Sequence, residues 1–160
     1  GHVARTLEEL RPLLQKGVHL TLQTGRHSSR LYQAIRRFLD LNPELQVDVI
    51  GWTNRIPELL LSHDILISKA GGAILHEALA ARIPAIIDYV VPGQEEGNAE
   101  LLIHNHCGLR SHSPEETAVH LQRMLDNGLK LAKEMREAMR PLSAPDAAVR
   151  VAELALTLDR

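Results

Sequence analysis

DILISKAGGAILHEALAARIPAIIDYVVPGQEEGN, Asp64 to Asn98, reads as strand, glycine turn, helix, strand and polar loop. Asp64 to Ser68 carries the apolar run Ile65-Leu66-Ile67, bounded as a buried strand is. Lys69-Ala70-Gly71-Gly72 turns the chain into an alanine-rich helix running from Ala73 to about Arg82. Pro84 opens a second buried strand, Ala85-Ile86-Ile87, and Pro92-Gly93 opens a loop carrying Gln94, Glu95, Glu96, Gly97 and Asn98.

Two features of this stretch ask for a chemical reason. A glycine pair between strand and helix leaves the helix start open, with unpaired N–H groups and the positive end of the dipole, an arrangement that attracts phosphate. Glu77 sits inside an otherwise apolar helix, four residues after Ala73 and on the same face. Helical side chains lean toward the N-terminus, so its carboxylate points back toward whatever binds at Gly72. A phosphate at the turn and a hydroxylated ring beside it, gripped by Glu77, suit a nucleotide.

The totals narrow the field. At 160 residues the chain is expected to form one domain with a sizeable core. A net charge of −2 gives no electrostatic case for nucleic acid. A lone cysteine, Cys107, excludes an internal disulfide framework and fits a reducing compartment. There is no secretory signal and no apolar run long enough to span a membrane. With one Trp, two Tyr and one Phe, the core must be built from Leu, Ile, Val and Ala. The start at Gly1-His2, without Met, is read as a cloning scar or as an excised piece of a longer protein.

Outward from the central stretch, Leu7 to Gln15 is a short helix candidate weakened by Pro12. Val18 to Thr24 is a β-rich run ending at Gly25, followed by the polar turn Arg26-His27-Ser28-Ser29. Leu31, Ile35, Phe38 and Leu39 give helical spacing from Ser29 to Leu41, stopped by Asn42-Pro43. Gln46 to Ile50 is the next strand, then Gly51-Trp52-Thr53-Asn54, then a helix from Ile56 to His63 with Pro57 in its first turn. Beyond Asn98, Ala99 to His104 is a short helix and Cys107 to Leu109 a short edge strand. Ser113-Pro114-Glu115-Glu116 starts a helix that Asn127-Gly128 ends. Leu129–Met139 and Pro145–Leu158 are two further helices.

Strands alternating with helices predict an α/β fold, a parallel sheet covered on both faces. Ligands of such sheets sit at the carboxyl ends of the strands. Those ends hold Gly25, Gly51 to Thr53, Ser68 to Gly72 and Asp88 to Asn98, the chain's most polar, glycine-bearing loops. Singly, each has an ordinary reading. Glycine serves many turns merely for positive φ, Glu77 suits a solvated helix face, and Gln94, Glu95 and Asn98 suit a surface loop. Their joint placement favours a site. Lys69 reads as a surface lysine within reach of a phosphate. His104-x-His106-Cys107 does not fix a tetrahedral metal site, and Cys107 reads as a small core residue.

The segment GWTNRIPELLLSHDILISKAGGAILHEALAARIPAIIDYVVPGQEEGNAELL, residues 51–102, resembles the nucleotide-sugar half of GT-B glycosyltransferases. It looks most like the monogalactosyldiacylglycerol synthase and processive diacylglycerol glucosyltransferase family, and is similar, less closely, to the lipid II-forming N-acetylglucosaminyltransferase. The specific part is SKAGGAILHEALAARIPAI followed by PGQEEGNAELL. The resemblance implies a Rossmann-like three-layer domain, one half of a GT-B fold. By it, Gly71, Gly72 and Ala73 match the diphosphate turn, Glu77 the acid on the ribose hydroxyls, and Gln94, Glu95 and Asn98 the loop that reads the sugar. Trp52, Thr53, Arg55 and Ile56 match the loop around the uracil, and Gly25 the turn facing the donor phosphates. The family usually has Gly-x-Asn there and this chain has Gly25-Arg26-His27, a departure.

The expectation is therefore a UDP-sugar-binding domain of a glycosyltransferase acting on a lipid acceptor. It has no cofactor and no metal, the UDP-sugar being the donor substrate. No residue is assigned as the catalytic base. The acceptor and the base belong to an N-terminal domain absent from this chain, which alone is expected to be inactive in transfer. Its expected location is the cytoplasm, peripheral at the membrane through that missing domain. Three other readings stay open: a natural single-domain subunit pairing with a membrane-anchored partner, a non-catalytic nucleotide-binding domain, and an epimerase of the same fold.

Overall fold

The computed structural model describes residues 2–26 and 29–158. His27 and Ser28, singled out in the first polar turn, lie outside the described residues. Among the described residues the order is α1 (His2–Gln15), β1 (Leu20–Gln23), α2 (Ser29–Leu41), β2 (Val47–Ile50), α3 (Ile56–Ser62), β3 (Leu66–Lys69), α4 (Gly72–Ala81), β4 (Ala85–Tyr89), α5 (Glu96–His104), β5 (Gly108–Arg110), α6 (Pro114–Ala138) and α7 (Ala147–Leu158). A 3-10 turn, Arg140–Leu142, separates the last two helices. The expected parallel α/β architecture is borne out.

β4 is the centre of the larger sheet. It pairs in parallel with β3 (Leu66 opposite Ala85, Ile67 opposite Ile86) and with β5 (Ala85 opposite Gly108, Ile86 opposite Leu109). Ala85, Ile86 and Ile87 are all fully buried, as an apolar run between two helix layers must be. Alternation sends them to opposite faces. Ile86 packs with Leu7, Leu10, Leu14, Ile35, Phe38 and Met124, contributed by α1, α2 and α6. Ala85 and Ile87 pack with Leu75, Leu79, Leu102, Cys107 and Met139 on the other side. Gly108 is required by the close approach of β5: a Cβ there would stand 2.4 Å from the Ala85 carbonyl oxygen.

The strands form two ladders rather than one, β1–β2 and β3–β4–β5. Periodicity predicts strands, not which of them exchange backbone hydrogen bonds, so this division was not legible beforehand. A side-chain bridge spans the seam. His63 Nδ1 lies 2.8 Å from the Leu59 carbonyl oxygen, which only accepts, so Nδ1 carries the proton. On the other side of the ring, Nε2 hydrogen-bonds with the Thr21 hydroxyl at 2.8 Å. Leu20, Leu22, Ile65 and Ile67 complete the seam within one apolar cluster.

Two boundaries move for physical reasons, and a third falls where expected. α1 starts at His2 and runs through Pro12. Pro12 and Glu8, whose carbonyl loses its partner, are exposed, while Leu7, Leu10, Leu13 and Leu14 are buried; packing outweighs the local penalty. α5 begins at Glu96 rather than Ala99, so Asn98 lies in its first turn. Glu96 there complements the helix dipole, and the amides of Gln94 and Glu95 fold back onto the Val91 carbonyl. α6 breaks where Asn127-Gly128 predicts: Asn127, Gly128 and Leu129 are all left-handed.

Candidate functional site

Gly71 caps α4 and Gly72 is its first residue, and Gly71 offers no side chain to the open amides. Neither glycine has a positive φ; those that do are Gly17, Gly25, Gly93 and Gly128. Gly71 has φ −66° and ψ 134°, an extended backbone open to any residue. Nor does packing demand glycine. A Cβ on Gly71 would meet nothing nearer than Lys69 Nζ at 3.3 Å, and one on Gly72 only Asn98 Nδ2 at 3.5 Å. The ordinary reasons for a glycine turn are thus removed, and what the pair provides is bare backbone at a helix N-terminus. Ala73 is exposed in the next position, and Glu77 is exposed further along α4. His76 Nδ1 bonds back to the Gly72 carbonyl at 2.7 Å.

The polar loop after β4 is brought against this turn. Asn98 Nδ2 donates to the Ala70 carbonyl at 3.1 Å, tying α5 to the glycine turn. Glu95 is buried although charged. One of its oxygens, Oε1, accepts from Lys69 Nζ, and Oε2 accepts from the Val91 amide at 3.1 Å. The lysine first, and the amide second, hold the Glu95 carboxyl below its ordinary range. Glu96 is likewise lowered, chiefly by the Gly93 amide, which donates to Oε1 at 2.7 Å. Gln94 stands exposed at the loop tip.

A second group gathers at the ends of β1 and β2. Gly25 turns the chain at φ 77°, and its carbonyl lies 4.0 Å from where a Cβ on Gly51 would be. Trp52 is 56% exposed, with the Arg26 guanidinium 4.4 Å above its ring, a cation–π stack that leaves aromatic surface facing solvent. Thr53 Oγ1 accepts from the Arg55 amide at 3.1 Å, and Arg55 Nε lies 3.7 Å from Glu58. Ile56, half-buried, opens α3.

The structure thus brings Gly71, Gly72, Glu95 and Asn98 together, and separately Gly25 and Trp52. Sequence reasoning missed the Lys69–Glu95 pair and the Arg26–Trp52 stack. The first joins residues 26 positions apart across a strand and a helix, and opposite charge was the one available hint. Cys107 is a buried core residue, as its composition context predicts, and burial pushes its thiol up. No group of three or more His, Cys, Asp or Glu able to hold a metal, and no helix long and apolar enough to cross a membrane, occurs among the described residues.

The chain is similar to several known proteins. The chain is 33% identical over 104 residues to monogalactosyldiacylglycerol synthase 3, chloroplastic, of Arabidopsis thaliana, covering 65% of this chain and 22% of that protein. It is 31% identical over 117 residues to the processive diacylglycerol β-glucosyltransferase of Bacillus cereus (strain 03BB102), covering 73% of this chain and 30% of that one. The chain therefore spans less than a third of these curated relatives. Among solved structures it resembles Acinetobacter baumannii MurG, with a TM-score of 0.72 at 20% identity over 94% of this chain and 46% of that chain. It also resembles Phytolacca americana UGT2, solved with UDP-2-fluoro-glucose and pterostilbene, with a TM-score of 0.67 at 16% identity over 99% and 38%. At those identities the likeness shows the fold, that of GT-B glycosyltransferases. Residues 2–152 match the glycosyltransferase family 28 C-terminal domain, and the chain belongs to that family.

Proposed function

We propose that this domain binds the UDP-sugar donor of a glycosyltransferase that transfers a hexose to a lipid acceptor. The observation that carries the reading is the glycine pair at the start of α4, which neither backbone conformation nor packing requires. Bare amides at a helix N-terminus suit a diphosphate. As the sugar bond breaks, charge develops on the UDP leaving group, and donors already in place stabilise it without reorganising. No metal or other cofactor is needed for that role. Gly71, Gly72 and Ala73 hold the diphosphate, and Gly25 faces it from β1. Glu77 accepts from the ribose hydroxyls. Trp52, Thr53, Arg55 and Ile56 surround the uracil. Gln94, Glu95 and Asn98 supply the donors and acceptors that sugar hydroxyls need.

The acceptor lipid and the general base belong to a part of the enzyme outside this chain, which is why the domain alone binds donor and transfers nothing. Contact with the membrane is peripheral and made through that part. The relatives named for diacylglycerol products support a lipid acceptor. Calorimetric titration of the folded chain with UDP, UDP-glucose, UDP-galactose and UDP-N-acetylglucosamine tests the reading. Saturable binding is expected, with one sugar preferred. A folded sample that binds none of them at millimolar concentration overturns it. Binding of UDP with no sugar preference, unchanged in Gln94→Ala, would make this a nucleotide-binding domain without donor function.

A further inference from the structure

Each oxygen of the Glu95 carboxylate has a partner in this structure. Its side chain is 10% exposed, Oε1 is held by Lys69 and Oε2 by the Val91 amide. The role given to Glu95 above asks a buried oxygen already held by a cation to turn to a sugar hydroxyl. Lys69 is the partner able to leave. Its side chain is 54% exposed, whereas the Val91 amide is fixed in the backbone. The Lys69 ammonium also flanks the glycine turn: it stands 3.3 Å from the place a Cβ on Gly71 would occupy. One cation is therefore shared by geometry between the carboxylate that would read the sugar and the helix start that would take the diphosphate. A lysine is a mobile point charge with three donors on a flexible stem, so it can exchange anions while its backbone stays still.

Resting on the donor-binding reading, we infer that Lys69 exchanges partners when donor binds. The diphosphate at Gly71-Gly72 draws the ammonium off Glu95. Oε1 is thereby released to accept from a hydroxyl of the sugar, while Val91 keeps the carboxylate in place through Oε2. Lys69 is thus both a phosphate ligand and a positioning residue for Glu95. The exchange couples the two halves of the donor: occupation of the diphosphate slot prepares the sugar slot. By linkage, a sugar held on Glu95 equally favours the diphosphate.

The exchange makes a prediction of unusual sign, tested by calorimetry with UDP, UDP-glucose and uridine on the wild type, Glu95→Gln, Lys69→Met and Lys69→Arg. Glu95→Gln keeps the shape of the side chain but leaves no ion pair to break. It should bind UDP about threefold or more tightly than the wild type, because a competing anion is gone, while losing most of the advantage of UDP-glucose over UDP. Lys69→Met should bind UDP about tenfold or more weakly, with Lys69→Arg restoring much of the loss and uridine bound equally by all. In the wild type, the ¹³C carboxyl resonance of Glu95 should titrate at higher pH with UDP bound, since the carboxylate has lost its cation. A wild type that binds UDP, with Glu95→Gln binding it no better or the Glu95 titration unmoved, overturns the exchange and leaves the donor site standing. A wild type that binds neither UDP nor UDP-glucose overturns both.

Discussion

Arg82 ends α4 in the left-handed conformation, φ 54° and ψ 46°, its amide directed to the carbonyls of Ala78 and Leu79. That is the geometry of a C-terminal helix cap that glycine adopts freely, and a side chain there costs about 1–2 kcal/mol. Arg82→Gly should stabilise the chain by about 1 kcal/mol, raising Tm by about 3 °C in a thermal melt for a domain of this size. Gly72 presents the opposite case. It sits at a helical position where alanine meets only Asn98 at 3.5 Å. Gly72→Ala should therefore gain about 0.5 kcal/mol in denaturant unfolding, while weakening UDP binding about tenfold by covering the bare backbone. Stability rising as affinity falls is the signature of a glycine present for a ligand. Equal affinity in the variant would remove the main support for the diphosphate slot.

At the scale of elements, the segment from Val91 to Glu96 is fastened by acids rather than by apolar packing. Glu95 takes Lys69 and the Val91 amide, and Glu96 takes the Gly93 amide. Both carboxyls lie below their ordinary value of 4.5. A depressed carboxyl contributes stability that is complete above its unfolded pKa and is lost as pH falls through its folded pKa. The loop should thus be intact at neutral pH and open below the ordinary carboxylate range, ahead of the apolar core. Amide-exchange protection factors should fall at Val91 and Gly93 under acid. In Glu95→Gln the acid dependence should vanish at Val91 and persist at Gly93. Protection at both sites that is indifferent to pH would mean that the acids do not fasten the loop.

At the scale of the whole molecule, α7 is exposed on every side from Ala147 to Thr157. Val149, Val151 and Leu154 on α7 are 61%, 67% and 60% exposed. The chain spans 22% and 30% of the curated relatives compared above, and under the proposed function the acceptor-bearing part of the enzyme is the source of a cover. Exposed residues contribute little to the isolated domain, and surface substitutions usually stay within about 0.5 kcal/mol. Val151→Gln together with Leu154→Gln should leave the Tm of this chain within about 2 °C of the parent. A larger fall would mean that α7 packs against the fold of this chain.

What the sequence determined by itself was local and periodic. The apolar run at residues 85–87 predicted the buried strand β4, helical spacing from Leu31 to Leu39 predicted α2, and Asn127-Gly128 predicted the break in α6, because each signal lies within a few residues of its effect; the run at 65–67 predicted a strand too, but β3 is half-buried rather than buried. The glycine pair and the polar loop pointed to a site through their shared place at strand ends, and residues 51–102 carried the family resemblance. The tertiary structure alone decided the rest. It divided the strands into two ladders joined through His63 and Thr21. It carried α1 through Pro12 by burying four leucines. It removed backbone conformation as the reason for Gly71 and Gly72. And it set Lys69 against Glu95, a pairing of charges that depends on how β3 and β4 lie side by side and that no local pattern encodes.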